Sequence, residues 1–454
     1  MKRIFTYLVV LLLPVMHVFA VGNVLYVSTD GTGDGSSWAN ASSLTAAADV
    51  ARGMEVKPEI WVKAGTYVFS STVLFDYLFI YGGFSGSETA LSERNWAANK
   101  TIFDGNDAIQ LFRNSLGTER GSNATSIPCL LDGVIVQNGL SPVDVNGGGM
   151  IINNGAVIRN CIFRNNATQG GKHGAAIHCN TNTIVIENCL FINNTSSGNG
   201  GAVQIGGTTN VTIRSCTFAN NKAVNPGGAI GFGNNTANLN LFNSIAYNNL
   251  YGSDYNSFGS ATNISGGGTI ISKHSAVEST STKFTDGNDV NHVVLDRVAT
   301  VPIVPGFVSQ ATVIGKGANE TEITEINSAS YRLSSQSSPC VNTGLNAEAS
   351  TILYDLDYTT RIFANVVDMG VYESTFWSSA ISQQSDDNFK AVVSENELQV
   401  SGAMKGEKVQ LIDLQGKVLN TVVITDDNEV AKFRLLNKGV YLVAGQNKLI
   451  KINY

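Results

Sequence analysis

One spacing constrains this chain more than any other feature. The run Asn160-Cys161-Ile162-Phe163-Arg164-Asn165-Asn166 returns as Asn188-Cys189-Leu190-Phe191-Ile192-Asn193-Asn194 and as Ser215-Cys216-Thr217-Phe218-Ala219-Asn220-Asn221. A fourth copy, Asn243-Ser244-Ile245-Ala246-Tyr247-Asn248-Asn249, replaces the cysteine with serine. Gly133 and Asn138 hold the matching places one period earlier. The cysteines stand 28 and 27 residues apart. Between the copies a second unit recurs as Gly148-Gly149-Met150-Ile151, Gly174-Ala175-Ala176-Ile177, Gly200-Gly201-Ala202-Val203 and Gly227-Gly228-Ala229-Ile230. A period of about 27 residues, built from two or three short alternating runs, is one coil of a β-solenoid. Helical repeats are disfavoured, because the runs alternate with period two and are rich in Gly, Asn and Thr.

The expected fold is therefore all-β: a right-handed parallel β-helix whose coils stack about 4.8 Å apart with equivalent residues in register. Ile213, Cys216 and Phe218 should point inward, and Arg214-Ser215 should form a bend. Asparagines at the strand ends should form a ladder, each amide bonding the next coil. The paired glycines suit corners that need positive φ or close backbone approach. Six cysteines could pair as disulfides, but Cys161, Cys189 and Cys216 follow the repeat period. Buried free thiols are the expectation.

Composition narrows the partners. The 454 residues carry 29 Lys and Arg against 36 Asp and Glu, a net charge of −7. That balance argues against nucleic acid, which needs a basic surface. Lys2 and Arg3, the apolar residues 4–16 and Val18-Phe19-Ala20 form the three-part pattern of a secretory signal peptide, with cleavage expected after Ala20. No later apolar run is long enough to span a bilayer.

The Gly227-Gly228-Ala229-Ile230 and Phe218-Ala219-Asn220-Asn221 units resemble the repeats of chlamydial polymorphic outer-membrane proteins and related right-handed parallel β-helix proteins with the pectin-lyase-like fold. Residues 26–38 and 60–67, and Tyr81-Gly82-Gly83-Phe84 through Glu88, Arg94 and Asn99, resemble the opening coils of such secreted bacterial proteins, polysaccharide lyase relatives included. Residues 338–344, Asp355-Leu356-Asp357, Arg361 and Asp368-Met369-Gly370-Val371-Tyr372-Glu373 resemble the closing segment of Bacteroidetes surface proteins of choice-of-anchor type. A β-helix with its opening and closing segments is thus expected over residues 21–375, the two segments capping its ends. A Ser-, Gln- and Asp-rich linker follows at 376–389. Over 390–454, short alternating runs separated by turns indicate a small β-sandwich. Leu414-Gln415-Gly416-Lys417-Val418 and Lys438-Gly439-Val440-Tyr441 resemble the C-terminal sorting domain of type IX secretion cargo. The resemblance implies the type IX machinery as a partner and the outer-membrane cell surface as the destination.

Candidate chemistry is sparse. Arg159, Glu187 and Arg214 hold one place in three successive repeats and should stack outward. Such a strip either binds a charged ligand or is an alternating-charge ladder that relieves repulsion between coils. Lys172 and His173, with His178 nearby, form a basic loop that could hold a charged ligand or abstract a proton. No carboxylate matches them, since Gln204 and Gly231 stand at the position of His178. No cofactor is indicated. Asp30, Asp34, Asp104, Asp107, Asp286 and Asp289 lie in oxygen-rich turns of a kind that can hold calcium, although Asp also simply favours turns. No catalytic residue is assigned. The reading is a non-catalytic surface rod for adhesion or glycan binding, contacting a polysaccharide or a host or cell-surface protein. The alternative is a polysaccharide lyase or related carbohydrate-active enzyme.

Overall fold

The computed structural model describes residues 24–114, 129–180, 183–207, 209–233, 237–251, 264–265, 269–278, 291–297, 299–363 and 366–374, and then 390–394, 397–412, 417–426, 429–435, 440–445 and 448–453. The signal-peptide residues, Asp286 and Asp289, the linker, Leu414-Gln415-Gly416 and Lys438-Gly439 lie outside the described residues. The chain divides into two compact units, Met1–Phe376 and Trp377–Tyr454.

The first unit is a parallel β-helix. The coils stack their strands into three parallel sheets, of nine, nine and seven strands, with a fourth of three short strands. One coil runs Thr183–Glu187, Leu190–Ile192 and Val203–Ile205, and the next runs Asn210–Arg214, Thr217–Ala219 and Ile230–Phe232. Equivalent residues pair directly, Ile186 with Ile213 and Phe191 with Phe218. This register puts like on like along the axis. Ile158, Ile186 and Ile213 are fully buried, as are Cys161, Cys189 and Cys216. The Phe163, Phe191 and Phe218 rings stack with centroids 5.1 and 4.6 Å apart. All six cysteines are buried and free. Burial pushes the Cys189 thiol well above its ordinary value, with Cys161 and Cys216 as its neighbours.

Each Asn-Asn pair divides two tasks. Asn165, Asn193, Asn220 and Asn248 take left-handed backbone at φ 55°, 54°, 57° and 58° and turn the corner; among residues with a side chain, asparagine tolerates this region best. The second asparagine points inward and builds the ladder. Asn194 Nδ2 donates to Asn221 Oδ1 at 2.9 Å and to the Phe163 carbonyl at 3.0 Å, and Asn194 Oδ1 accepts from Asn166 N at 3.1 Å and Nδ2 at 2.9 Å. Asn221 repeats the pattern with Asn249 and the Phe191 carbonyl. The other sharp corner is a single left-handed residue, Asn160, Asn188, Ser215 or Asn243 in turn. At Gly201 a Cβ would lie 2.0 Å from the Gly228 carbonyl oxygen, so the coils could not approach with any larger residue there.

The opening and closing segments pack differently. Helix Leu44–Gly53, capped by Ser43, buries Leu44, Ala47, Ala48 and Ala51 in the solenoid core beside the first strands. Among the described residues, none of the closing segment joins the solenoid core. Residues 306–374 run back along the outer face of the second sheet, where Ala311, Ile326, Tyr331, Leu356 and Val371 pack on Leu190, Ile192 and Ala219. Corner asparagines hold this strap. Asn193 Nδ2 donates to the Val313 and Gly315 carbonyls at 2.6 and 3.0 Å, Asn188 to Tyr354 at 3.0 Å and Asn243 to Leu345 at 2.9 Å. The physical reason is apolar surface: Leu190 and Ile192 face outward and need cover.

The acidic motif of the strap ties its loops together. Asp355 accepts backbone N–H bonds from Asp357, Thr359 and Glu373 at 2.8 to 2.9 Å. Asp368 accepts from Asn342 and Ser374, both at 2.6 Å. The fully buried Arg361 donates to the Asp368 carbonyl at 3.0 Å and to that of Gly370.

The described strands of the second unit all pair antiparallel. Three strands, Lys390–Ser394, Glu397–Ser401 and Ala431–Arg434, form one sheet. Val418–Val423, Lys408–Ile412, Val440–Gly445 and Lys448–Asn453 form another, in that order. Leu398, Val400, Val409, Leu411, Phe433 and Val443 make its core.

Candidate functional site

Strand alternation on the first sheet leaves one outward column next to the sharp corner. Read along the axis it is Tyr81, Asp132, Arg159, Glu187, Arg214, Phe242 and Lys273, each in register with the next. The predicted triad Arg159, Glu187 and Arg214 therefore stacks as expected, inside a longer ladder. Asp132 was legible by extending the repeat, since it precedes Gly133 as Arg159 precedes Asn160.

Most of the charge in this column is spent on internal bonds. Asp132 is fully buried, and its Oδ2 accepts from Arg94 Nη2 and from Arg159 Nε, both at 2.6 Å. Its Oδ1 accepts from Asn160 Nδ2 at 2.7 Å. Burial works to raise the Asp132 pKa, but Arg94 and Arg159 hold it below the ordinary value. The Arg94 guanidinium also lies over the Tyr81 and Trp96 rings, 5.2 and 5.0 Å from their centroids. Arg214 Nε donates to Glu348 of the strap at 2.9 Å. Glu187 differs: among the described residues its carboxylate makes no hydrogen bond and no ion pair within 4.0 Å. Burial raises its pKa, and Arg159 and Arg214 only partly offset that.

Part of this column faces a cleft of about 560 Å³. Arg159, Asn160 and Glu187 of the solenoid line it, with Leu91, Arg94 and Trp96 of the opening segment and residues 351–354 and Tyr358 of the strap. The Tyr354 and Tyr358 rings stack 4.3 Å apart with an interplanar angle of 10°, and Trp96 meets Tyr358 edge-on at 4.8 Å. The opening motif builds one wall. Glu88 accepts three backbone N–H bonds from Ser85, Gly86 and Ser87, and Gly83 at φ 94° lets Trp96 approach. Nothing in the repeat announces Trp96, Tyr354 or Tyr358, which arrive from distant parts of the chain.

Lys172 and His173 lie elsewhere, in the loop before strand Ile177–Cys179, and do not line the cleft. Lys172 Nζ is 3.9 Å from Asp144. His173 Nδ1 accepts from the Asn199 N–H at 2.9 Å, and burial together with Lys172 lowers its pKa. His178 is buried among the coils, and burial lowers its pKa to about 3. Asp34 accepts from the Ser36 N–H, Asp104 from Asn106 N, Gln137 and Asn138, and Asp107 pairs with Lys316. Among the described residues no three His, Cys, Asp or Glu side chains are grouped to hold a metal ion. Nor is any described helix long and apolar enough to cross a membrane.

Residues 98–275 match the family described as "Right handed beta helix region". The matched span covers the central coils and leaves the opening coils, the strap and the second unit outside it. No curated protein matches the chain.

Proposed function

We propose that this chain is an exported β-helix protein held at the cell surface, where it binds glycan without cleaving it. Export is supported by the pattern ending at Ala20. Surface delivery is supported by the likeness of residues 390–454 to type IX sorting domains, with that machinery as partner. The observation that carries the non-catalytic reading is the bonding of Asp132. Glycoside hydrolysis in its usual form needs two free carboxylates flanking the scissile bond. A lyase needs a free base beside a group that stabilises the anion. Both oxygens of Asp132 are committed to Arg94, Arg159 and Asn160, which leaves Glu187 as the one free acid lining the cleft among the described residues. Adhesion through many weak contacts would gain strength from multivalency at the surface.

The test is incubation of the mature protein with acidic and neutral polysaccharides, with and without calcium. Binding without new unsaturated or reducing ends is the expected result. Product formation that disappears in Glu187→Gln would make the protein a carbohydrate-active enzyme and end the non-catalytic reading.

A further inference from the structure

We infer that the cleft between the ladder and the strap is a subsite for an uncharged sugar ring, gripped by Tyr354 and Tyr358 on one side and by Arg159 and Glu187 on the other. The inference rests on the glycan-binding reading and adds the place and the ligand class. Three observations point the same way.

The first is unused hydrogen-bonding capacity. Arg159 spends Nε on Asp132, and its two Nη groups make no hydrogen bond among the described residues. Glu187 is likewise free. A donor fork beside an acceptor carboxylate matches vicinal hydroxyls, each of which can both give and take a hydrogen bond. The second is the aromatic wall. Tyr354 is 36% exposed although it stacks on Tyr358. Aromatic faces carry negative potential and suit the C–H face of a pyranose. The Trp96 Nε1 is buried beside this wall with no partner among the described residues. The third is charge balance. Arg94 and Arg159 face Asp132 and Glu187, and Arg214 is matched by Glu348. A uronate or sulfate would meet a site with no surplus positive charge and an acid already in place. The volume, about 560 Å³, lies in the range of small-ligand pockets.

The experiment applies neutral gluco-, galacto- and manno-oligosaccharides and their uronic-acid counterparts to the full mature chain, wild type, Tyr354→Ala and Glu187→Gln. Melting temperatures check that each variant folds. Alanine at 354 keeps the backbone carbonyl that Asn188 holds. The expected result is tighter binding of a neutral probe than of its uronate, weakened about tenfold by Tyr354→Ala and several-fold by Glu187→Gln. Unchanged neutral binding in both variants would overturn the placement and leave the glycan-binding reading intact. Preference for the uronate, strengthening as pH falls and Glu187 protonates, would overturn the ligand class. Absence of binding to every probe would overturn both readings.

Discussion

Replacing Asn194 with alanine should destabilise the solenoid far more than changing its neighbour Asn193. Asn194 is fully buried and links three coils. Its amide donates to the Phe163 carbonyl at 3.0 Å and to Asn221 Oδ1 at 2.9 Å, while its oxygen takes both Asn166 N and Asn166 Nδ2. Alanine leaves two donors on Asn166 and the Phe163 carbonyl without these partners in a core that water does not reach. Each buried polar group left unpaired costs about 1–3 kcal/mol, and partial relaxation brings the sum to roughly 3–5 kcal/mol. Asn193 turns the corner at φ 54° and its amide holds the strap from outside. Asn193→Gly removes that clasp without backbone strain and should cost about 1–2 kcal/mol. Urea unfolding gives the stabilities. Hydrogen exchange in Ile162–Arg164, Leu190–Ile192 and Thr217–Ala219 locates the damage. Equal costs for the two variants, or unchanged exchange in these strands after Asn194→Ala, would refute the ladder as a source of stability.

Other outcomes follow from the same contacts. Asp132→Ala should cost about 3–5 kcal/mol in urea unfolding, because Arg94 and Arg159 lose the carboxylate that neutralises them. His178 has a folded pKa of about 3 and protonates mainly in the unfolded chain, so its contribution is present above pH 6.5 and is lost as pH falls toward 3. Between pH 7 and 5 that loss is about 2 kcal/mol. Asp355, raised to about 6 by burial, acts in the opposite sense, since protonation favours its folded state. The comparison is therefore with His178→Gln, which copies Gln204 one coil on and should be about 2 kcal/mol less acid-sensitive in melts over that range. A chain truncated at Asn388 should fail to reach the cell surface in fractionation; normal surface levels would contradict a sorting role for residues 390–454.

The repeat determined the coil. A one-dimensional stack makes position i touch i+27 or i+28, so the Cys161–Cys189–Cys216 stack, the Asn166–Asn194–Asn221 ladder and the Arg159–Glu187–Arg214 column were all legible in a single sequence. The Asn-Asn pair told that a corner and a ladder existed, although not which residue served which. The tertiary structure alone decided what lies against the solenoid. The opening and closing segments follow no period, so nothing local fixes their partners. Long-range burial of Leu190, Ile192 and Ala219 draws the strap onto the second sheet. That choice carries Tyr354 and Tyr358 to Trp96 and Glu348 to Arg214. It turns an exposed charge ladder into one wall of a cleft, which no spacing in the chain could specify.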